Sequence, residues 1–284
     1  MGTTIHSAKT KPASWNAFDD IGAFVDAVIA ELGDMQTDGI RVRTAGPKAA
    51  MGEAQLRRAV IAIWCVCFCG LPWRAIGKLS GIPFGTLYAL FSRWTRLGLW
   101  NRLMLRFAVA WRTACGDKPM PSVLVIDSRS VRSAPTCGFR GIDGGKRIRG
   151  VKFHLVADKH GSPFAVDVSP ANDHDAKGCQ TVLEEVAAFG FSGKVLGDLA
   201  YRGEPLDTFA KTLKLLGVMT SAGGHDGVFI PAGIRWTIER TFGWSVFYRR
   251  LNLIWERKAD HMVAFFEMMA ASILSRRLAR LVSP

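Results

Sequence analysis

Three acidic residues stand out for the chemistry they could do together. Asp127 lies in Val-Leu-Val-Ile-Asp-Ser, Asp198 in Val-Leu-Gly-Asp-Leu-Ala-Tyr-Arg-Gly, and Glu239 in Arg-Trp-Thr-Ile-Glu-Arg-Thr-Phe-Gly-Trp. Each follows an apolar stretch able to hold it rigidly. Hard carboxylate oxygens with open positions suit Mg²⁺ or Mn²⁺, which keep waters and take their remaining ligands from a phosphate. Two such ions ~4 Å apart can activate an attacking oxygen and stabilise a leaving one in an in-line displacement. Without a cation, three clustered carboxylates repel one another and their pKa values rise. Taken singly, each acid has a plainer reading. A strand-terminal Asp commonly caps a turn or helix, and Glu239 stands four residues after Arg235, where the two could pair.

The rest of the chain points the same way. It carries a formal charge of +13 and a pI near 9.8, which implies polyanionic partners. Between Ala54 and Gly116 there is no Asp or Glu, yet there are nine cations: Arg57, Arg58, Arg74, Lys78, Arg93, Arg96, Arg102, Arg106 and Arg112. A surface built only for solubility mixes its signs, so this window reads as a face for phosphates. An apolar content of 49% is ample for a packed core. No secretory signal is apparent, and the longest apolar runs (Ala59 to Leu71, Met262 to Leu274) are shorter than the ~20 residues that span a bilayer. A soluble, cytoplasmic protein with reduced cysteines is expected. Cys65, Cys67 and Cys69 read as small core residues, because no further Cys or His cluster completes a zinc set.

The elements that must position the acids can be read from periodicity and breakers. Residues 1 to about 50 are the least informative: a helix is expected over Ala17 to Leu32, ended by Gly33, followed by a linker from Thr37 to Ala50. Residues 51–117 read as an all-helical DNA-binding domain. Leu56 to Cys69 stops at Gly70-Leu-Pro72, Trp73 to Ser80 stops at Gly81-Ile-Pro83, and Phe84 to Thr95 follows. The last two form a helix-turn-helix pattern with Arg93 and Arg96 at its end, and with Ile76, Leu79, Ile82, Leu87, Leu90 and Trp94 as its core. Residues 118–284 read as the catalytic domain. Strands are expected at Val123 to Ile126, Gly150 to Ala157, Pro163 to Val168, Lys194 to Gly197 and Leu215 to Thr220. Helices are expected at Thr181 to Phe189, at Glu204 to Leu213, and from about Arg235 after a Gly-rich loop over Gly223 to Gly233. This is an α/β order with a mixed five-stranded sheet, and it matches the ribonuclease-H-like order. In that topology the first and fourth strands are neighbours, so Asp127 and Asp198 come together, and Glu239 faces them from the last helix.

At these residues the chain resembles the DDE transposases of the IS4/IS5 insertion-sequence group, and within it the IS5 family. The resemblance covers roughly residues 55 to 255. Five segments carry it: Cys-Gly-Leu-Pro-Trp-Arg (69–74); Ile-Asp-Ser-Arg-Ser-Val-Arg (126–132); Gly-Gly-Lys-Arg-Ile-Arg-Gly-Val-Lys-Phe-His-Leu-Val-Ala-Asp (144–158) with Pro-Ala-Asn-Asp-His-Asp (170–175); Gly-Asp-Leu-Ala-Tyr-Arg-Gly (197–203); and the segment around Glu239 (235–244). The family's catalytic, metal-binding Asp, Asp and Glu fall on Asp127, Asp198 and Glu239. The resemblance implies an Mg²⁺- or Mn²⁺-dependent enzyme, with two ions, acting on terminal inverted repeats. Water attacks the phosphodiester at the element's end, and the freed 3′-hydroxyl attacks target DNA. Double-stranded DNA and a second copy of the chain are the implied partners, because two ends must be handled together.

Supporting side chains are expected to hold phosphates: Arg74, Lys78, Arg93 and Arg96 in the helical part; Lys146, Arg147, Arg149, Lys152 and His154 entering the second strand; Tyr201 and Arg202 after the second Asp; and Arg235, Arg240, Arg249 and Arg250 around Glu239. His174-Asp175 reads as a turn or helix start, and Trp236 and Trp244 as core. The chain departs from the family's pattern at Ser245, Val246 and Phe247, where basic residues are usual, and over residues 1 to about 50. The competing readings are an inactive or domesticated derivative that binds DNA, and a nuclease of the same fold that cleaves without joining.

Overall fold

The computed structural model describes residues 21–40, 51–220 and 232–282, with side chains placed from 236 onward in the last stretch and through 281. The Gly-rich loop after residue 220 lies almost wholly outside the described residues, as does the side chain of Arg235.

Among the described residues five helices come first: α1 (Ile21–Thr37), α2 (Glu53–Cys69), α3 (Trp73–Ser80), α4 (Phe84–Arg96) and α5 (Leu99–Ala114). Their ends follow from local chemistry. Gly70, Gly81 and Gly98 take left-handed φ values of 70°, 69° and 71°, a conformation that costs glycine nothing. Pro72 and Pro83, two residues after the first two of these glycines, cannot continue a helix. Helix α1 departs from expectation by running through Gly33 to Thr37. Its apolar face continues past the glycine to Met35, which is fully buried, so packing outweighs a glycine cost of about 1 kcal/mol.

Helix α1 also revises the meaning of the acid-free window. Asp26 pairs with Arg57, Glu31 with Arg102 (2.7 Å) and Arg106 (2.9 Å), and Asp34 with Arg106 (3.4 Å). Arg112 pairs with Asp158 (2.7 Å). Four of the nine cations are therefore committed inside the fold. Glu31 is only 4% exposed, whereas its two arginines are roughly half-exposed. Glu31→Ala should therefore cost about 2 kcal/mol, less than a fully buried pair, because the arginines can return to water. Thermal denaturation of the variant checks this: an unchanged midpoint would mean that the clamp contributes nothing.

Among the described residues the sheet has six strands: β1 (Val123–Arg132), β2 (Gly141–Asp143), β3 (Ile148–Ala157), β4 (Pro163–Pro170), β5 (Lys194–Gly197) and β6 (Val218–Thr220). Strands β2 and β4 both pair with β3, and β1, β5 and β6 follow in that order. The β1–β3 and β3–β4 pairs are antiparallel, whereas β5 runs parallel to β1 and β6 parallel to β5. The arrangement is consistent with a ribonuclease-H-like domain. Two points correct the sequence reading. Strand β2 is the sixth strand, with only three residues and too short for a periodic signal. Strand β1 also runs five residues past Asp127, because β3 continues to pair with it as far as Arg132↔Gly150. Asp127 is a mid-strand residue.

Helices α6 (Asp175–Gly178), α7 (Gln180–Ala188) and α8 (Glu204–Thr212) follow β4 and β5, and α9 (Ala232–Val246) and α10 (Ala259–Val282) complete the chain. One face of the sheet packs on α7 and α8, through Leu124, Ile126, Val156, Val182, Val186 and Leu206. The other face, through Val125, Val131, Phe153 and Leu155, shares a single core with α9, α10 and the five N-terminal helices. Helix α10 joins the two halves. Phe265 stacks on Phe91 of α4 (centroids 4.6 Å apart), and its neighbour Phe266 meets Phe153 of β3 (5.5 Å). A helix buried on nearly every side has no amphipathic signature, which is why Met262 to Leu274 read only as an apolar run. Glu267 inside it accepts a hydrogen bond from Asn101 Nδ2 (2.9 Å), and burial pushes its carboxyl up to about 7. Among the described residues no helix is long and apolar enough to cross a membrane. Cys65 and Cys67 are core thiols as expected, and the Cys67 Sγ donates to the Phe265 carbonyl.

Candidate active site

The parallel ladder between β1 and β5 brings the two aspartates together. It pairs Val123 with Lys194, Leu124 with Val195 and Val125 with Leu196, a constant offset of 71 residues. Continued two residues past the last paired position, that offset would set Asp127 opposite Asp198, which lies just beyond the end of β5. Neighbours in register point to the same face. This is the face of Val125 and Val131, which packs on α9 and α10. Glu239 is exposed on α9.

Local structure then orients each carboxylate. Asp127 accepts from the Ser128 amide (2.7 Å), and Asp198 caps a 3-10 turn by accepting from the Ala200 amide (2.8 Å). Among the described residues none of the three acids forms an ion pair, and no three His, Cys, Asp or Glu side chains converge closely enough to cage an ion by themselves. They nevertheless sense one another. Burial, with the charges of Asp198 and Glu239 adding to it, pushes Asp127 up to about 6, against the pull of the Ser128 amide and Lys146. An all-oxygen set whose like charges are relieved only in part, by Lys146, has the chemistry of a hard divalent-ion site, and Asp127, Asp198 and Glu239 are the residues that could hold one.

The raised value has a definite sign for stability. Below about pH 4 the carboxyl is protonated in both folded and unfolded chains, and Asp127 favours neither. As pH rises from about 4 to about 6 the unfolded chain loses its proton first, and the metal-free fold loses up to roughly 3 kcal/mol from this residue. Asp127→Asn should therefore raise the melting temperature of metal-free protein at pH 8, with the gain vanishing near pH 4. Equal midpoints at both pH values would contradict the burial of this carboxylate.

The opposite face of β1 holds a second, buried polar cluster. Ser128 Oγ donates to Asp175 Oδ1 (2.8 Å), and Lys152 Nζ reaches the same oxygen (2.9 Å) and the Asp173 carbonyl (2.8 Å). Burial alone would push Asp175 up, but the Lys152 and Ser128 bonds outweigh it and hold it below its usual value. His154 is fully buried, with Nε2 2.9 Å from Ser169 Oγ and Gly178 packed against its ring, and burial lowers it to about 4. Tyr201 is 1% exposed, and burial beside Asp127 and Asp175 raises its hydroxyl well above the ordinary value. Lys152, His154 and Tyr201 therefore face the interior, which corrects their reading as phosphate contacts. Asp175 does start a helix, α6, but its carboxylate is the hub of this cluster, a role that the turn reading missed.

Helix α9 is seated on the β3–β4 turn. Asp158 is fully buried and accepts from Arg112 (2.7 Å) and from the His160 and Ser162 amides (both 2.9 Å). The turn so fixed offers its carbonyls to α9: Arg240 donates to His160 O and Thr241 Oγ1 to Gly161 O, both at 2.7 Å. Gly161 has φ +75°, and a Cβ there would meet Thr241 Oγ1 at 2.7 Å, so glycine is required. Arg129 of β1 adds a bond to the Phe242 carbonyl (2.8 Å). Arg240 is thus partly spent on the fold, its guanidinium lying 4.6 Å over the ring of Trp236. Trp244 is core as expected, but Trp236 is 50% exposed.

The remaining predicted cations divide by exposure. Arg74 and Lys78 of α3 and Arg96 of α4 are exposed, and Arg93 is half-buried. The α3–α4 unit is tighter than its pattern alone suggests, since a Cβ on Gly77 would meet the Phe84 amide nitrogen at 2.8 Å. Leu79, expected in its core, is 72% exposed. Lys146, Arg147, Arg149, Arg202 and Arg249 are exposed. Arg250 is turned inward to Glu256 (2.7 Å), which corrects its reading as a replacement for the missing basic residues. Val246 and Phe247, where the family pattern departs, are about half exposed.

A mixed sheet with Asp127 within β1 and Asp198 just past the end of the adjacent parallel strand β5 is consistent with an α/β domain of the ribonuclease-H-like class. Residues 118–274 match the family described as "Transposase DDE domain", and the chain belongs to that family. It is also similar to a Burkholderia cepacia protein described as "Putative transposase for insertion sequence element IS402", at 28% identity over 143 residues. That match covers 46% of this chain and 65% of the relative, so the chain spans just under two thirds of the relative's length.

Proposed function

We propose that this protein is the transposase of an IS5-family insertion sequence, and that it cleaves the element's ends and joins them to target DNA. The observation that carries the reading is the common 71-residue offset of the β1–β5 ladder and of the two aspartates. Asp127, Asp198 and Glu239 would hold Mg²⁺ or Mn²⁺, probed as two ions. When bound, such ions supply charge stabilisation for an in-line displacement at phosphorus. In the first step a water oxygen bonds to phosphorus at the element's end and the 3′-oxygen leaves with a proton. In the second, that 3′-hydroxyl attacks a target phosphodiester and expels the target's own 3′-oxygen. The same positioned carboxylates serve both, since only the attacking oxygen differs. The α3–α4 unit would dock on the terminal inverted repeats as a helix-turn-helix, with Arg74, Lys78 and Arg96 on phosphates, and two copies of the chain would hold the two ends together.

A second reading, a derivative that binds DNA without moving it, draws on one observation: exposed Val246 and Phe247 occupy positions where the family usually carries basic residues. One assay separates the possibilities. Purified protein, Mg²⁺ and a duplex carrying the DNA that flanks the gene should yield a nick with a 3′-hydroxyl at each repeat end, followed by joined product. Binding without nicking would select the derivative, and nicking without joining the nuclease.

A further inference from the structure

The ribbon formed by β2 and the start of β3 has a fixed base and a bare outer face. At its base, a Cβ on Gly150 would run into the Val131 carbonyl, and one on Gly141 into the Asn172 side chain, so both glycines allow backbone contacts that lock the ribbon. The ladder would carry Asp143 past Arg132, the last paired residue of β1. Yet Ser130 Oγ donates to Asp143 Oδ2 (2.5 Å), so the ribbon curls back over the strand. The other oxygen of Asp143 accepts from the Lys146 amide (2.9 Å) and closes the turn. The ribbon's one acidic group is therefore spent on its own structure, and the Ser130 bond holds it below the usual carboxylate range.

Outward, the ribbon presents a different chemistry. Ile142 is 61% exposed and lies directly opposite exposed Arg149 across the ladder. Lys146 and Arg147 form the exposed tip, and Lys146 stands near enough to the acids for its charge to act on Asp127. Arg147 adopts φ +54°, a left-handed conformation in which glycine would be cheaper. A single exposed isoleucine needs no explanation by itself. An isoleucine opposite one cation, on a ribbon whose tip carries two more, one of them in a left-handed turn, has the composition of an apolar wedge that enters the minor groove of duplex DNA.

We propose that the β2–β3 ribbon grips duplex DNA and that Ile142 opens a base step there, so the protein prefers DNA that is kinked or easily kinked. This rests on the transposase reading above and adds how the duplex is presented to the site. DNA already bent by a bulge spares the protein the cost of deformation, so binding should discriminate in its favour.

The test measures full-length protein, by fluorescence anisotropy over a range of salt, on a straight duplex and on the same duplex with a two-nucleotide bulge. Wild type should prefer the bulged duplex by about fivefold or more, and Ile142→Ala should remove most of that preference. Arg147→Gly should weaken binding to both duplexes by about three- to tenfold and flatten the salt slope by about one. The same substitution should raise the melting temperature by about 2 °C, because it relieves the turn. A fall in affinity with a gain in stability is the signature of a side chain kept for its ligand. Salt-dependent binding without a bulge preference, or a preference that survives Ile142→Ala, would overturn this proposal alone. Wild type that binds neither duplex would overturn it together with the transposase reading.

Discussion

Asp127→Asn is expected to lower Mg²⁺-dependent cleavage of an element end by at least about 10³-fold, a loss of roughly 4 kcal/mol of transition-state stabilisation. Duplex affinity should stay within about threefold. The aspartate lies on the strand next to the one that Asp198 follows and feels both Asp198 and Glu239, in a site where burial already disfavours ionisation. An amide of the same shape keeps the packing and removes one unit of negative charge and an anionic ligand. The cations proposed to bind DNA lie on other elements, namely α3, α4 and the β2–β3 ribbon, so phosphate contacts should survive. The substitution should also stabilise the metal-free fold above pH 6, for the reason given above. Lost cleavage alongside retained binding and a higher melting point cannot be ascribed to unfolding. Cleavage within tenfold of wild type would remove Asp127 from the site.

The second large effect is expected at a residue that touches none of the three acids. Asp158→Ala should destabilise the protein by about 3–5 kcal/mol, because it strands Arg112, which is 5% exposed, and frees two turn amides at once. In a chain of this size that lowers the melting temperature by about 10 °C. Much of the penalty is the unpaired buried cation. Adding Arg112→Leu should therefore recover part of the loss, although each change alone is harmful. The turn held by Asp158 is also the seat of α9, through Arg240 and Thr241. The double variant should thus recover more stability than cleavage activity, since the charge problem is solved while the helix carrying Glu239 has lost its support. Full recovery of both would show that the turn does not position α9. Calorimetry and the cleavage assay on the same preparations distinguish these outcomes.

The comparison of sequence with structure separates what local chemistry reveals from what only packing reveals. Helices α2 to α4 were legible because Gly-Leu-Pro and Gly-Ile-Pro mark their ends, and the β3–β4 hairpin because apolar strands flank His160-Gly161-Ser162. That β1 and β5 are neighbours was legible from element order only through its match to the ribonuclease-H-like topology, since three strands and two helices lie between them in sequence. Burial of polar groups was not legible. Lys152 and His154 belong to a basic run that looks like a phosphate-binding stretch, yet strand alternation and the helix over that face turn both inward, and the groups they meet there, Asp175 and Ser169, are distant in sequence. The acid-free window misled in a related way. A one-dimensional charge count cannot see that the acids of α1 return to neutralise Arg57, Arg102 and Arg106. Helix α10 was missed because a helix buried all round carries no periodic signal. The β2–β3 ribbon lacked the strand length that would have flagged it, and its exposed isoleucine has no pattern at all.

The central claim is that Asp127, Asp198 and Glu239 act as one site for divalent metal. Titration of Mn²⁺ into the full-length protein in the presence of duplex DNA, followed by calorimetry, tests it most directly when wild type is compared with Asp127→Asn, Asp198→Asn and Glu239→Gln. The account predicts a saturable class of Mn²⁺ sites in wild type that each substitution weakens by about tenfold or more, with the three effects far from additive because the residues share their ligand. Mn²⁺ binding that is unchanged in all three variants, or weakened by independent amounts that simply sum, would contradict it.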